Sequence, residues 1–342
     1  DVIFTPKTAS IVTKINGVDA TSYISDITNS AAPQQDIDAA YNGMFYEKAL
    51  VAAGGGNGGF SSGGRTRYIY PGPTTNFTFA NGTTLTTDNI ARVKGNFTLV
   101  NSGPSFYQQF CTPYNITDPD EDTTVKPHAP SPIPGYPPAV IRTNDTAIAG
   151  YYIDGDGYED VAVLSVLSFG ANSPKAYQKV AEEFFRDAKR DGKKKLVIDL
   201  SQNGGGLILL GYDLFRQLFP DIIQDGDSRW RADKTFLTIS EIYSSTSANF
   251  DINKSTELQF IQANTPFNYR MDMNTSSQPF LTYADKFGPS SLKGDHFTNL
   301  MQWNLSDPLL TSNTTYGLGT DITGYGSRQN YTRPFAPEDI IM

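Results

Sequence analysis

"KKKLVIDLSQNGGGLILLGYDLFRQLF", residues Lys193 to Phe219, holds a short apolar strand, an Asn-Gly-Gly-Gly run and the opening of a helix. In "KLVIDL" the apolar residues are continuous, the pattern of a strand buried on both faces as in parallel sheets. In "LILLGYDLFRQLF", Leu207, Leu210, Leu214 and Leu218 recur at helical spacing. The stretch just upstream repeats the arrangement. "EDVAVLSVLSF" (Glu159 to Phe169) reads as a second buried strand. It is followed by "NSPKAYQKVAEEFFRDAKRDG", with Ser173 as N-cap and Pro174 at the first helical position. Tyr177, Val180, Ala181, Phe184, Phe185 and Ala188 form its apolar stripe, and Gly192 is its C-terminal stop. Strand, helix, strand, helix with short connections predicts a parallel strand pair and an α/β fold.

In such a sheet functional groups gather beyond the carboxyl ends of the strands. A glycine run there permits positive φ and close backbone approach. Amides at a helix start face negative charge. The run can thus serve a phosphate, an oxyanion or nothing beyond a tight turn. A phosphate loop needs G-x-G-x-x-G or Lys-Ser/Thr after the glycines, and "NGGGLILLG" has neither. An oxyanion hole and a ligand-free turn both remain open.

Residues 1 to about 105 read as β-rich. Asn16-Gly17 within "ASIVTKINGVDATSYISD" is a hairpin signal. "TNFTFANGTTLTT" and "ARVKGNFTLV" are expected strands, and "GGGNGGFSSGG" (Gly54 to Gly64) is a loop without phosphate-loop chemistry. Eight prolines between Pro113 and Pro138, with the acidic "DPDED", mark extended chain. His128 inside it reads as inert. Beyond Pro220 the signal weakens, with one helix expected near Lys254 to Ala263. "PEDIIM" at the end reads as a new apolar strand.

The 342 residues carry a formal net charge of −9 and no basic stripe with interleaved aromatics, which argues against a nucleic-acid partner. The basic run Lys193 to Lys195 reads as a solvated helix C-terminus. No apolar run approaches the roughly 18 residues of a membrane span, so no membrane partner is expected. N-x-S/T acceptors start at Asn76, Asn81, Asn96, Asn115, Asn144, Asn253, Asn274, Asn304, Asn313 and Asn330. Ten such sites, several in Gly-, Thr- or Pro-rich surroundings, point to a secreted glycoprotein. Cys111 is the only cysteine. In a secreted protein it implies a free thiol or a partner outside the chain.

A strand written hhhDL-x-x-N-x-G-G entering a helix resembles the signature of the tail-specific, or C-terminal processing, serine peptidases. "LVIDLSQNGGG" matches it with Asp199, Leu200, Asn203, Gly205 and Gly206. "IVTKINGVDATSYISD" resembles the PDZ-like segment these enzymes carry. "INGVDA", "DIDAAYN" (Asp36 to Asn42) and "SGPSFYQQFC" (Ser102 to Cys111) resemble the fungal secreted branch similar to the chlamydial protease-like activity factor. The resemblance covers most of residues 8 to 220. It implies a partial crotonase/ClpP-like α/β peptidase core after a β-rich PDZ-like module. Expected boundaries are 1–112 for that module, 113–140 for a Pro-rich linker or surface loop, and 141–342 for the core. It also implies that a Gly205 or Gly206 amide holds the tetrahedral oxyanion, while Asp199 and Asn203 fix the turn by hydrogen bonding.

Members of that branch take their base from a histidine segment upstream of the PDZ-like part. Their serine comes from a strand-to-helix turn downstream. Neither segment is recognisable here, and no G-x-S-x-G elbow replaces them. Ser201 reads as a turn residue, and His296, in "KGDHFTNL", is a weak candidate base. The chain is therefore expected to be an internal portion of a longer peptidase, inactive by itself. The absent part would hold the catalytic pair and a disulfide partner for Cys111. "YIDGDGYEDVAV" (Tyr152 to Val163) resembles a calcium loop, with Asp154, Asp156 and Asp160 as oxygen donors. Tyr152 occupies the first ligand position and there is one copy, so a polar turn is the better reading.

The expected function is part of a secreted serine endopeptidase acting on an extracellular protein or a precursor peptide, with no cofactor or metal. The alternatives are a peptide-binding protein without catalysis, using strand addition, and a calcium-dependent adhesion module.

Overall fold

The computed structural model describes residues 5–31, 35–52, 70–90, 95–111 and 136–342, which form two units, Asp1–Tyr136 and Pro137–Met342. In the first, Asn16 (φ 50°) and Gly17 (φ 82°) turn β1 (Val12–Ile15) back on β2 (Val18–Asp19). Three helices follow: α1 (Ala20–Ala31), α2 (Ile37–Asn42) and α3 (Lys48–Ala52). A second hairpin pairs β3 (Thr74–Phe79) with β4 (Thr84–Asp88), and β3 lies against β1. The sheet order is β2-β1-β3-β4. Ile15, Ile24 and Met44 make its buried core, with Val12, Tyr23 and Phe77 packed on them. The strand expected at "ARVKGNFTLV" is not formed over residues 95–100, which are turn and irregular chain; residues 91–94 lie outside the described residues. Phe97 instead joins Phe106 and Phe110 of α4 (Gly103–Phe110) in an aromatic cluster, and a Ser102/Ser105 capping box starts that helix.

The second unit is built on a five-stranded sheet. β5 (Ile141–Arg142), β6 (Ile148–Tyr152) and β7 (Val161–Val166) are antiparallel neighbours. After β7 the Ser173 hydroxyl accepts the Ala176 amide and caps α5 (Pro174–Arg190). All six residues of the expected stripe on α5 are buried. The chain returns as β8 (Lys195–Asp199), parallel to β7 with Ser165 opposite Asp199, and enters α6 (Ile208–Leu218). Leu210, Leu214 and Leu218 are buried, but Leu207 precedes the helix and is 43% exposed. Helices α5 and α6 pack with Ala162, Leu164, Val166, Leu196 and Ile198 into one core.

The expectation of a single helix after Pro220 is corrected. The region holds α7 (Lys234–Thr246), α8 (Glu257–Ala263), α9 (Tyr283–Phe287) and a hairpin of β9 (Ser290–Leu292) with β10 (Asp295–Phe297). Helix α7 buries Ser240 and Ser244, flanked by half-buried Phe236, Ile239 and Tyr243, so its inward face mixes polar and apolar residues. Two buried carboxylates tie the segments together. Asp213 on α6 accepts from the side-chain amides of Gln178 and Gln217 and from the Thr323 amide and hydroxyl. Lys286 on α9 is fully buried and donates to Pro266 O, Asn268 O and the Asp272 carboxylate. The last strand, β11 (Ile340–Ile341), pairs parallel with β8, Ile340 opposite Leu196. Among the described residues no helix is long and apolar enough to cross a membrane.

Candidate functional site

The glycine run lies at the carboxyl end of β8. Asp199 ends the strand, and its Oδ1 accepts the Ser201 amide at 2.9 Å, a side-chain turn that reverses the chain. Gln202 then adopts φ 61°. Asn203 works in two directions. Its Nδ2 donates to Val166 O at the end of β7 (2.8 Å), and its Oδ1 accepts the Gly205 amide (2.7 Å). Asn203 thus fastens the turn after one parallel strand to the last residue of the other.

Beyond β7 the chain runs alongside the glycines. Phe169 N donates to Gly205 O (2.9 Å), and Leu207 N donates to Phe169 O (3.1 Å). This bridge sets Gly206 face to face with the Phe169–Gly170 peptide, at φ 141°. A Cβ on Gly206 would come within 2.8 Å of Gly170 Cα and closer still to Gly170 N and the Phe169 carbonyl carbon. Gly205 is at φ 99° with open space around it. One glycine is therefore demanded by contact and conformation together, its neighbour by conformation alone.

The amides are not equivalent. That of Gly205 is engaged by Asn203, whereas the Gly206 N–H has no acceptor among the described residues. Just beyond it α6 begins at Ile208 without a side-chain cap; Leu210 N donates to Leu207 O (2.9 Å), and the Ile208 and Leu209 amides, at the positive end of the helix dipole, have no acceptor among the described residues. Leu200, Leu207 and Ile208 are exposed beside this amide-lined turn. The arrangement can hold developing negative charge on an oxygen. Of the Gly205 and Gly206 amides, that of Gly206 is the unengaged one among the described residues.

Phe169, Ser168 and Val166 escaped the sequence reading as parts of this site. Ser168 Oγ accepts the Gly170 amide at 2.9 Å, shaping the loop that faces Gly206. Phe169-Gly170 at a strand end was their only local signal. Their role arises from pairing with a segment 37 residues later.

The other candidates lie elsewhere. Ser201 is an exposed turn residue. His296 sits on β10, where its backbone amide donates to its neighbour's Asp295 Oδ1 and its imidazole enters no hydrogen bond or ion pair among the described residues. Asp295 itself pairs with Arg231 at 2.8 Å. In the loop of Asp154, Asp156 and Asp160, Glu159 accepts the Gly157 amide, and Asp160 O accepts the Lys194 and Lys195 amides. No three carboxylate, His or Cys groups converge as a metal site among the described residues. Lys193, read as a solvated charge, donates to Glu159 O and lies 4.4 Å over the Tyr152 ring. Cys111 is exposed at the C-cap of α4.

Of the N-x-S/T asparagines, Asn81, Asn96, Asn144, Asn253 and Asn330 are exposed in loops, while Asn274, Asn304 and Asn313 are half-buried. Asn76 lies in β3 and donates to Thr86 across the hairpin. Asn115, His128 and the Gly54–Gly64 loop lie outside the described residues.

Residues 1–98 match the profile of the CPAF-like PDZ domain, and residues 160–234 match that of peptidase family S41. A peptidase S41 family protein of Aspergillus flavus, ustP, is 30% identical over 90% of this chain and 64% of its own length. A peptidase S41 family protein of Diaporthe leptostromiformis is 26% identical over 97% of this chain and 50% of its own. The chain thus spans between half and about two-thirds of the length of these relatives. Among solved structures, mature CPAF aligns at 14% identity over 76% of this chain and 48% of its own, with a TM-score of 0.35.

Proposed function

The chain belongs to the CPAF-like, tail-specific branch of peptidase family S41, and from that membership we propose that it carries the oxyanion-binding face of a serine endopeptidase. One observation supports this most: the unengaged Gly206 amide at the end of a parallel strand, beside the uncapped start of α6. The nucleophile and base come from residues outside these 342, and the complete enzyme is a secreted fungal glycoprotein acting on an extracellular protein or a precursor peptide. Cys111 takes a disulfide partner from the same outside part.

In the reaction a serine Oγ attacks the peptide carbonyl carbon while a histidine takes its proton. The carbonyl oxygen becomes an oxyanion and accepts the Gly206 N–H. Collapse expels the amine, which leaves with the proton, and water then hydrolyses the acyl-enzyme. One such donor is worth about 2.7–4 kcal/mol in the transition state. Asn203 acts as a positioning residue by keeping the Gly205 amide turned away and the loop in register. No step calls on a cofactor.

The test uses an alkyl fluorophosphonate with intact-mass readout, applied to this chain and to the longest natural polypeptide containing it. Labelling of the longer polypeptide alone is the expected result. Labelling of neither form would turn the reading toward a peptide-binding protein without catalysis. Labelling of this chain would show that its own residues hold the nucleophile.

A further inference from the structure

An open cleft of about 710 Å³ lies in the second unit, away from the glycine turn in sequence, lined among others by Arg229, Asn274, Thr275, Gln278, Phe280 and Leu281. Its size is that of small-molecule sites, roughly 300–1,000 Å³. The side chains of Arg229, Thr275 and Gln278 enter no hydrogen bond or ion pair among the described residues. Leu281 is 82% exposed beside the buried Phe280. Unengaged polar groups next to bare apolar surface suit a ligand with hydroxyls on its edges and C–H groups on its faces, which is the chemistry of a sugar ring.

One lining residue can carry such a ligand covalently. Asn274 begins the acceptor Asn274-Thr275-Ser276. Its Oδ1 accepts the Ser276 amide at 2.9 Å and the Gln278 amide at 3.1 Å, while its Nδ2 has no acceptor among the described residues. Its backbone is equally fixed. Asn274 N donates to Gln278 O (2.8 Å), and the buried Gln302 amide donates to Asn274 O (2.8 Å) and Ser277 Oγ (3.0 Å). The side-chain nitrogen is held on a rigid turn in the wall of the cleft. By contrast Asn81 projects from the turn between β3 and β4.

We propose that Asn274 is N-glycosylated and that the first sugar of its glycan is seated in this cleft as a built-in part of the fold. This rests on the reading of the protein as a secreted glycoprotein. In the transfer, Nδ2 displaces the diphosphate from the anomeric carbon of a polyprenyl-diphosphate-linked oligosaccharide. The carbon–nitrogen bond forms, the carbon–oxygen bond breaks, one Nδ2 proton passes to solvent and the polyprenyl diphosphate leaves with the bonding electron pair. Arg229, Gln278 and Thr275 bind the sugar's hydroxyl and acetamido groups, and Leu281 lies against its apolar face. Tethering makes even weak contacts sufficient, since the sugar is held at high effective concentration.

The experiment expresses the chain in a eukaryotic secretory host and maps glycans site by site. The native and the denatured protein are then treated with an endoglycosidase that cuts between the first two sugars. Asn274 is expected to carry a glycan cut about tenfold more slowly than those at Asn81 and Asn304 in the native protein, as when the cleft is empty about one time in ten. Denaturation should make the rates equal. Replacing Arg229 and Gln278 together with alanine should speed the native cut at Asn274 alone. Equal native rates at the three sites would overturn the seat, as would a bare Asn274 beside glycosylated Asn81 and Asn304. A chain bare at every acceptor would overturn the secreted-glycoprotein reading from which the proposal starts.

Discussion

Alanine at each of the three glycines in turn separates contact from conformation. Gly204 is outside the positive-φ region, and a methyl group added to it would meet no atom within 4 Å, so alanine there costs nothing locally. By restricting the unfolded chain it stabilises by about 0.4–1 kcal/mol. Gly205 is at φ 99° in open space, so alanine there meets only backbone strain, about 1–3 kcal/mol. At Gly206 the same strain adds to overlap with the Phe169–Gly170 peptide, which is backbone and cannot rotate away. Overpacking costs about 1–3 kcal/mol, so Gly206→Ala should lose about 4 kcal/mol in all, with ~2 as the floor. Relief by opening the loop would break the two bridge hydrogen bonds, each worth about 1 kcal/mol, so the loss remains. Both tryptophans, Trp230 and Trp303, lie in the unit Pro137–Met342, and their fluorescence during urea unfolding reports on that unit. The expected order of stability is Gly204→Ala, then Gly205→Ala, then Gly206→Ala. A Gly206→Ala protein within about 1 kcal/mol of Gly204→Ala would refute the contact argument.

Asn203→Ala removes a donor to Val166 O and an acceptor for Gly205 N, and should cost about 1–3 kcal/mol by the same assay; Asn203→Asp, which keeps only the acceptor, should fall between it and wild type. Lys286→Met strands the Asp272 carboxylate in the interior and should cost about 3–5 kcal/mol, whereas joining it to Asp272→Leu should recover most of the loss in a double-mutant cycle. Burial pushes the Asp213 carboxyl above its ordinary range, against the opposing donors from Thr323 and Gln217. The native state therefore binds that proton more tightly than the unfolded chain. Its contribution to stability is greatest below the ordinary carboxylate pKa and declines as pH rises through the raised value. In urea titrations across that window, Asp213→Asn should flatten the slope relative to wild type; an unchanged slope would show that Asp213 does not titrate there.

The sequence by itself determined the strand–helix–strand–helix order around the glycines, because those signals are local. Ser173 caps the helix it precedes, the stripe from Tyr177 to Ala188 has the helical period, and continuous apolar runs mark β7 and β8. It also determined that Asp199, Asn203 and the glycines share one turn, since the eleven residues from Leu196 to Gly206 suffice to write the motif. Helix α7 stayed hidden because its inward face interrupts half-buried Phe236, Ile239 and Tyr243 with the buried Ser240 and Ser244. Which glycine amide is free was decided by tertiary structure alone. Asn203 reaches Val166, and the Phe169 peptide closes on Gly206, only because β7 lies parallel to β8. The cleft beside Asn274 is of the same kind. Arg229 and Asn274 line it together, 45 residues apart in the chain, and no periodicity or motif records a contact whose partners meet only once the chain has folded.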